Sequence, residues 1–229
     1  MTSGRVLLLR HGETEWNAAS RWQGHGGAGL SAHGRMQAQW TAQFLATARP
    51  DITAVVRSDL ERVVETTAPL IQRCALPVSV DARWREIDVG TWSGRTHEEV
   101  RAVDPLGYEA WRAGGDPRRG GGETDAELRA RVAAALADLS AMSGTVLVVT
   151  HGGPVRHAVA QALGLPPGGH RRLANVGNCS LSELSELSES VAGRWSLMAY
   201  NDRSHARPSA GSGWEHDKGR ASAARPSPA

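Results

Sequence analysis

Two uninterrupted apolar runs of strand length each stop abruptly at a polar segment centred on histidine. The first lies in Arg5–Leu9 and ends at Arg10-His11-Gly12; the second lies in Thr145–Val149 and ends at Thr150-His151-Gly152-Gly153. A strand with one wet face alternates apolar and polar side chains. A run that does not alternate therefore belongs in a sheet covered on both faces. The segments around these runs read at helical period. Ser31 opens a helix in which Met36, Trp40, Phe44 and Leu45 form the apolar stripe, closed by Pro50. Ser58 or Asp59 can cap a second helix that runs to about Cys74, with Val63, Leu70 and Ile71 facing inward. A long helix is expected from about Asp125 to Ala141. Another follows the second histidine, with Pro154 in its first turn and Gly164 and Pro166 as its stop.

Ala54–Val56 and, more weakly, Val78–Val80 read as further strands, and the glycine-rich stretch from Gly114 to Gly122 as a mobile loop. Asn178–Leu187 and Trp195–Tyr200 fit a closing antiparallel pair, although the Ser-Glu-Leu repeat over Ser182–Glu189 fits a helix equally well. Strands alternating with helices predict an α/β fold, a three-layer α/β/α sandwich around a mostly parallel sheet. Such sheets gather their chemistry outside the carboxyl ends of the strands, where both histidine motifs fall.

The chain of 229 residues suits one domain over residues 1–203, followed by a polar, glycine-, serine- and proline-rich tail over 204–229 that is expected to be disordered. Twenty-six basic against 24 acidic residues leave a net charge of +2, too balanced for a general nucleic-acid binder. All the basic residues but Lys218 are arginine, a planar fork well matched to phosphate oxygens. Cys74 and Cys179 lie far apart without metal or redox spacing, and no apolar stretch is long enough to span a membrane. These features place the chain in the cytoplasm. No histidine and carboxylate cluster has ligand spacing, so neither metal nor cofactor is expected. His25, His157 and His170 read as structural residues, Trp16, Trp22 and Trp40 as packing, and Arg118 and Arg119 as solvated loop charges or, alternatively, as arginines that swing over the distal anion of a bound substrate.

Arg10-His11-Gly12-Glu13-Thr14 together with Thr150-His151-Gly152-Gly153 resembles the histidine phosphatase superfamily, which includes the cofactor-dependent phosphoglycerate mutases. Asn17, Gly24, Leu30-Ser31 with Gly34, Ser58-Asp59-Leu60-Glu61-Arg62, Glu86 with Gly90, Trp92 and Gly94, Gly122-Glu123-Thr124 and Asn178-Cys179-Ser180 extend the resemblance in order over roughly residues 4–200. It implies that His11 takes up a phosphoryl group, with Arg10, Arg62 and His151 around it. Glu86 would give the leaving oxygen its proton and then activate water. Asn17, Gln23, Gly24 and the backbone at Gly12 and Gly152 would help bind the substrate. Chemistry supports these roles: a neutral imidazole is a competent nucleophile near pH 7, and the transferring group spreads charge over three oxygens that need fixed donors. His151 is expected to be protonated when a dianion is bound.

The segment after Glu86 is short and lacks lysine, which resembles the phosphatase branch more than the mutases. The function implied is hydrolysis of a small phosphorylated metabolite. Mutase-type transfer or phosphate binding without catalysis remains open. Members of the family often dimerise through a sheet edge, so a homodimer is among the states the resemblance allows.

Overall fold

The computed structural model describes residues 4–187 and 195–206. In chain order the elements are β1 (Arg5–Arg10), α1 (Glu15–Ala18), α2 (Ala32–Ala48), β2 (Ile52–Arg57), α3 (Glu61–Arg73), β3 (Val78–Val80), α4 (His97–Val103), α5 (Pro105–Arg112), α6 (Asp125–Leu139), β4 (Thr145–Thr150), α7 (Gly152–Ala162), β5 (Leu181–Glu186) and β6 (Trp195–Asp202). The strands form one sheet in the order β3-β2-β4-β1-β5-β6. β1, β2, β3 and β4 pair in parallel, and β5 and β6 add an antiparallel edge. The mostly parallel α/β sandwich expected from the sequence is thus present.

The unbroken apolar runs explain the layers. Leu7 and Leu9 of β1 and Leu147 and Val149 of β4 join Ala42, Leu45, Val63 and Leu70 of α2 and α3 in one core. The alternate residues Val6, Leu8, Val146 and Val148 join Leu128, Val132, Val155 and Val159 of α6 and α7 in the other. Successive side chains of a strand point to opposite faces, so only an all-apolar run can feed both cores.

Several local expectations need correction. The inner face of α2 is Gly34, Gln37, Ala38, Thr41, Ala42 and Leu45, while Met36 is 49% exposed. Ser31 does cap α2, its Oγ accepting from the Gly34 N–H. α3 begins after Leu60 without a side-chain cap, and the Ser58 Oγ accepts from the Leu60 N–H instead. The Ser-Glu-Leu repeat lies in β5, not in a helix, because its alternate residues Ser182 and Leu184 are buried while paired with β1; its last two residues fall outside those described. α4 and α5 were not foreseen. Their sequence signals are a capping box between Thr96 and Glu99 and the Asp104 side chain capping a helix with Pro105 at its start. Ser204–Ala206, at the start of the expected tail, form a turn in which His205 stacks on Phe44 of α2 with ring centroids 4.9 Å apart. Residues 207–229 lie outside the described residues. No helix among the described residues is long and apolar enough to cross a membrane.

Candidate active site

Strand register brings the two histidine motifs together. β1 and β4 are parallel neighbours with Arg10 opposite Thr150, and the His11 N–H donates to the Thr150 carbonyl at 2.9 Å. The next residue on each strand is therefore a histidine at the same level of the sheet. Their rings meet edge to face with centroids 5.1 Å apart, close to the spacing of about 4.8 Å between neighbouring strands.

Both imidazoles are buried, His11 2% and His151 0% exposed. Burial, and then the charges of Arg62 and Arg10, push the pKa of His11 well below 6.5, so the ring is neutral. Its Nδ1 lies 2.7 Å from the Gly12 carbonyl. A carbonyl can only accept, so Nδ1 carries the proton and Nε2 keeps its lone pair. His151 is held differently. The Arg62 Nε–H donates to its Nδ1 at 3.2 Å, and its Nε2 lies 3.0 Å from the Ser58 Oγ. An arginine N–H is always a donor, so Nδ1 is the acceptor and Nε2–H donates to Ser58. Burial and Arg62 lower the His151 pKa well below 6.5 as well. The protonated His151 expected with bound substrate is not the state of the ligand-free molecule.

Arg62, on the first turn of α3, is 2% exposed. Its Nη1 and Nη2 donate to the carbonyls of Gly26 and Gly24 at 3.0 and 2.6 Å. Gly24 thus contributes a carbonyl that orients Arg62. The Arg10 Nη1 donates to the Val176 carbonyl. Neither arginine has a carboxylate in ion-pair range among the described residues. Burial lowers the pKa of Arg10, and that of Arg62 to about 10, and both remain cationic at neutral pH.

Glu86 reaches the same place from the turn after β3. Its Oε2 accepts from the Gly153 N–H at 3.1 Å, and its Oε1 accepts from the N–H of Ile87. A Cβ at position 153 would lie well inside contact distance of the Glu86 Oε1, so this approach requires glycine. The Glu86 carbonyl is fixed by Arg131 Nη2 at 2.8 Å and lies 2.9 Å from His25 Nε2. Asn17 donates to Gln23 Oε1 at 3.1 Å and accepts from Asn178 at 3.2 Å. Gln23 in turn donates to Thr14 at 2.7 Å. The Gly12 N–H does not face the site: it donates to Thr66 Oγ1 at 3.0 Å.

These groups border a cavity of about 440 Å³, lined among others by Arg10, His11, Asn17, Gln23, Gly24, Glu86 and Gly152. Arg62 and His151 stand immediately behind that wall. Trp22, read from the sequence as packing, and Arg119, read there as a solvated charge or a contact to the distal anion, also line the cavity, together with Arg156, which the sequence did not single out. Arg119 is not a solvated loop charge. It is 7% exposed and donates to Asp125 Oδ1 at 2.8 Å, whereas Arg118 is exposed and pairs with Glu127. The rings of His157 and His170, read separately as structural, stack at 4.0 Å beside Asp125. Their spacing in sequence hides a group whose ligand atoms lie within 4.8 Å of one another. Arg119 and Arg171 already occupy both oxygens of Asp125, so a cation there would meet two guanidinium groups.

Residues 6–220 match the family described as histidine phosphatase superfamily (branch 1). The glucosyl-3-phosphoglycerate phosphatase of Mycolicibacterium vanbaalenii is 37% identical over 190 residues, covering 79% of this chain and 84% of that protein. A mycobacterial glucosyl-3-phosphoglycerate phosphatase solved in complex with VO3 superposes with a TM-score of 0.77 at 35% identity, over 86% of this chain and 98% of that one. YhfR of Bacillus stearothermophilus superposes with a TM-score of 0.79 at 28% identity, over 90% of this chain and all of that one.

Proposed function

The chain belongs to the histidine phosphatase superfamily, and from that premise we propose that it hydrolyses a small phosphorylated metabolite through a phosphoryl group carried on His11. One observation supports this reading above the others. A neutral imidazole with a free Nε2 borders a cavity beside the buried Arg62 and the half-buried Arg10, neither of which is in ion-pair contact with a carboxylate among the described residues. Such a site has a nucleophile and guanidinium groups whose charge no ion pair takes up, which suits a phosphoryl group.

In the proposed reaction the His11 Nε2 lone pair attacks phosphorus while the ester P–O bond breaks. Glu86, protonated at the start of the cycle, passes its proton to the leaving oxygen. A water then attacks phosphorus, Glu86 takes the water's proton and the P–N bond breaks. Inorganic phosphate leaves, and His11 is again neutral. Arg10, Arg62 and the Gly152 N–H at the start of α7 stabilise the charge on the equatorial oxygens. A bound dianion raises the pKa of a neighbouring imidazole. Protonation of His151 at Nδ1 would end its acceptance from Arg62, making His151 a donor and freeing the Arg62 Nε–H for phosphate. Asn17 and Gln23 complete the polar wall. Cys74 and Cys179 are both free, which fits a reducing cytoplasm.

The relatives named for glucosyl-3-phosphoglycerate make that compound the first ester to assay. The step itself is tested by trapping. Wild type quenched in acid during turnover of labelled ester should carry an acid-labile phosphoryl group, and His11→Ala should carry none and turn nothing over. Turnover by His11→Ala near the wild-type rate would refute the proposal.

A further inference from the structure

The cavity extends beyond what a phosphoryl group fills; its volume of about 440 Å³ lies in the range that encloses a whole small metabolite. Its wall contains three arginines that the phosphoryl-transfer scheme does not use, Arg21, Arg119 and Arg156. Arg119 stands in the short turn before α6, 93% buried by its 7% exposure, with one Nη2–H bond to Asp125. Its Nε is buried without a hydrogen-bond partner. A desolvated guanidinium N–H without an acceptor is unfavourable unless something arrives to accept from it.

Arg156 stands on α7, one turn beyond Gly152. Its contact is a long one, Nη1 to Asn175 Oδ1 at 3.4 Å, and no carboxylate pairs with it among the described residues. Its charge reaches both Arg10 of the phosphate site and His170 of the Asp125 group. Arg156 lines the same cavity as Arg10 and Arg119. Arg21, the remaining arginine of the wall, is already paired with Glu99.

We infer that Arg119 and Arg156 form an anion subsite that receives a carboxylate on the leaving-group half of the substrate. The preferred esters are then phosphorylated acids rather than phosphorylated alcohols. This rests on the phosphatase reading above. At this end of the wall Asp125 is shared between Arg119 and Arg171, and Arg156 has no carboxylate among the described residues, so positive charge is in excess where a carboxylate would arrive. Trp22, Ile87, Val89 and Leu128 line the same cavity and supply apolar surface for the carbon skeleton between the two anions. Arg119 is fixed before binding. Asp125 is held from behind by Arg171 at 3.0 Å, and the Asp125 N–H by Asp116 at 2.5 Å. A donor fixed in advance loses little freedom when its acceptor arrives.

The test compares 3-phosphoglycerate with glycerol 3-phosphate, which differ by a carboxylate against a hydroxymethyl group, with p-nitrophenyl phosphate as the acid-free reference. Wild type should favour 3-phosphoglycerate by about tenfold or more in kcat/KM, the scale of one charge-assisted contact. Arg156→Gln should lower kcat/KM for the acid by about tenfold and for the alcohol by less than about threefold, removing most of the preference. Arg119→Lys keeps the ion pair with Asp125 and guards against misfolding; it should erode the preference in the same direction. Equal turnover of both esters by wild type, or equal losses on both in Arg156→Gln, would overturn the subsite while p-nitrophenyl phosphate turnover left the phosphatase reading standing. No turnover of any of the three would remove both.

Discussion

The protein holds two pairs of buried imidazoles, and the pairs differ in what faces them. His11 and His151 meet edge to face at 5.1 Å, with Arg10 and Arg62 beside them and no carboxylate in ion-pair range among the described residues. His157 and His170 stack at 4.0 Å and face Asp125 at 3.5 and 3.7 Å, with Arg119 and Arg171 on the same carboxylate. Residue types are almost the same in the two groups: two histidines and two arginines in each. In the second group a carboxylate pairs directly with both arginines; in the first the nearest acting carboxylate, Glu86, makes no ion pair with either. A buried, uncompensated positive cluster is stable only if an anion can be supplied from solution. A carboxylate paired with its own arginines, rather than the histidines, separates the structural cluster from the proposed phosphate site.

The comparison breaks most visibly if the cations of the first pair are dispensable. Arg62 carries charge and also fixes the His151 tautomer, and its three nitrogens reach His151 and the carbonyls of Gly24 and Gly26. Arg62→Ala is expected to lower kcat/KM for p-nitrophenyl phosphate by on the order of a thousandfold or more, the scale of removing at least one transition-state donor. Arg62→Lys should recover little of it, since one ammonium cannot span three divergent acceptors. A loss below about tenfold in Arg62→Ala would show that the first pair does not depend on its cations.

The second group can be made to resemble the first. Asp125→Asn removes the resident anion and leaves Arg119 and Arg171 facing two imidazoles. Breaking a buried ion pair in this way should cost about 3 kcal/mol in chemical denaturation. Sulfate should restore more stability to the variant than it adds to wild type, because the variant has a second uncompensated cluster. Unchanged stability would mean that Asp125 is not what holds this group together.

The two groups were unequally legible in the sequence. His11 and His151 could be paired on paper because each ends an apolar run, and parallel strands deliver their carboxyl ends to the same edge. Arg62 and Glu86 came from motif spacing that the resemblance covers. Nothing periodic links Arg119, Asp125, His157 and His170. They come from a glycine-rich turn, the first residue of α6, the middle of α7 and the turn after it, and only tertiary packing brings them together. The Gly114–Gly122 stretch read as a mobile loop because glycine composition reports backbone freedom. It gives no sign of Arg119 inserting into the protein to meet Asp125. The α2 stripe was legible only in part. The helix buries small and polar residues, Gly34, Ala38, Thr41 and Ala42, together with Leu45 of the expected stripe, while Met36 is exposed and Trp40 and Phe44 are half-buried, Phe44 against the core.

The smallest expected effect is a pH dependence of stability, and its sign follows from the imidazoles. His11 and His151 have folded pKa values well below 6.5, and that of His170 falls to about 3. His97 and His205 are lowered too. As pH falls below about 6.5 the unfolded chain binds protons at these residues and the folded chain does not, so stability declines with pH in that window. Asp51, Asp59 and Asp125, whose pKa values are lowered in the folded chain, stay ionised in both states between pH 7.5 and 5.5. The melting temperature should therefore drop by several degrees from pH 7.5 to 5.5. Sulfate, an anion at both values, should recover more of it at pH 5.5, because a bound anion raises the imidazole pKa values and lets the first pair take up protons that the ligand-free pair does not, whereas the second pair already faces Asp125. In His11→Ala this extra recovery should shrink. A melting temperature that rises on acidification, or a sulfate increment equal at both pH values, would remove the distinction between an open cationic pair and one closed by its own carboxylate.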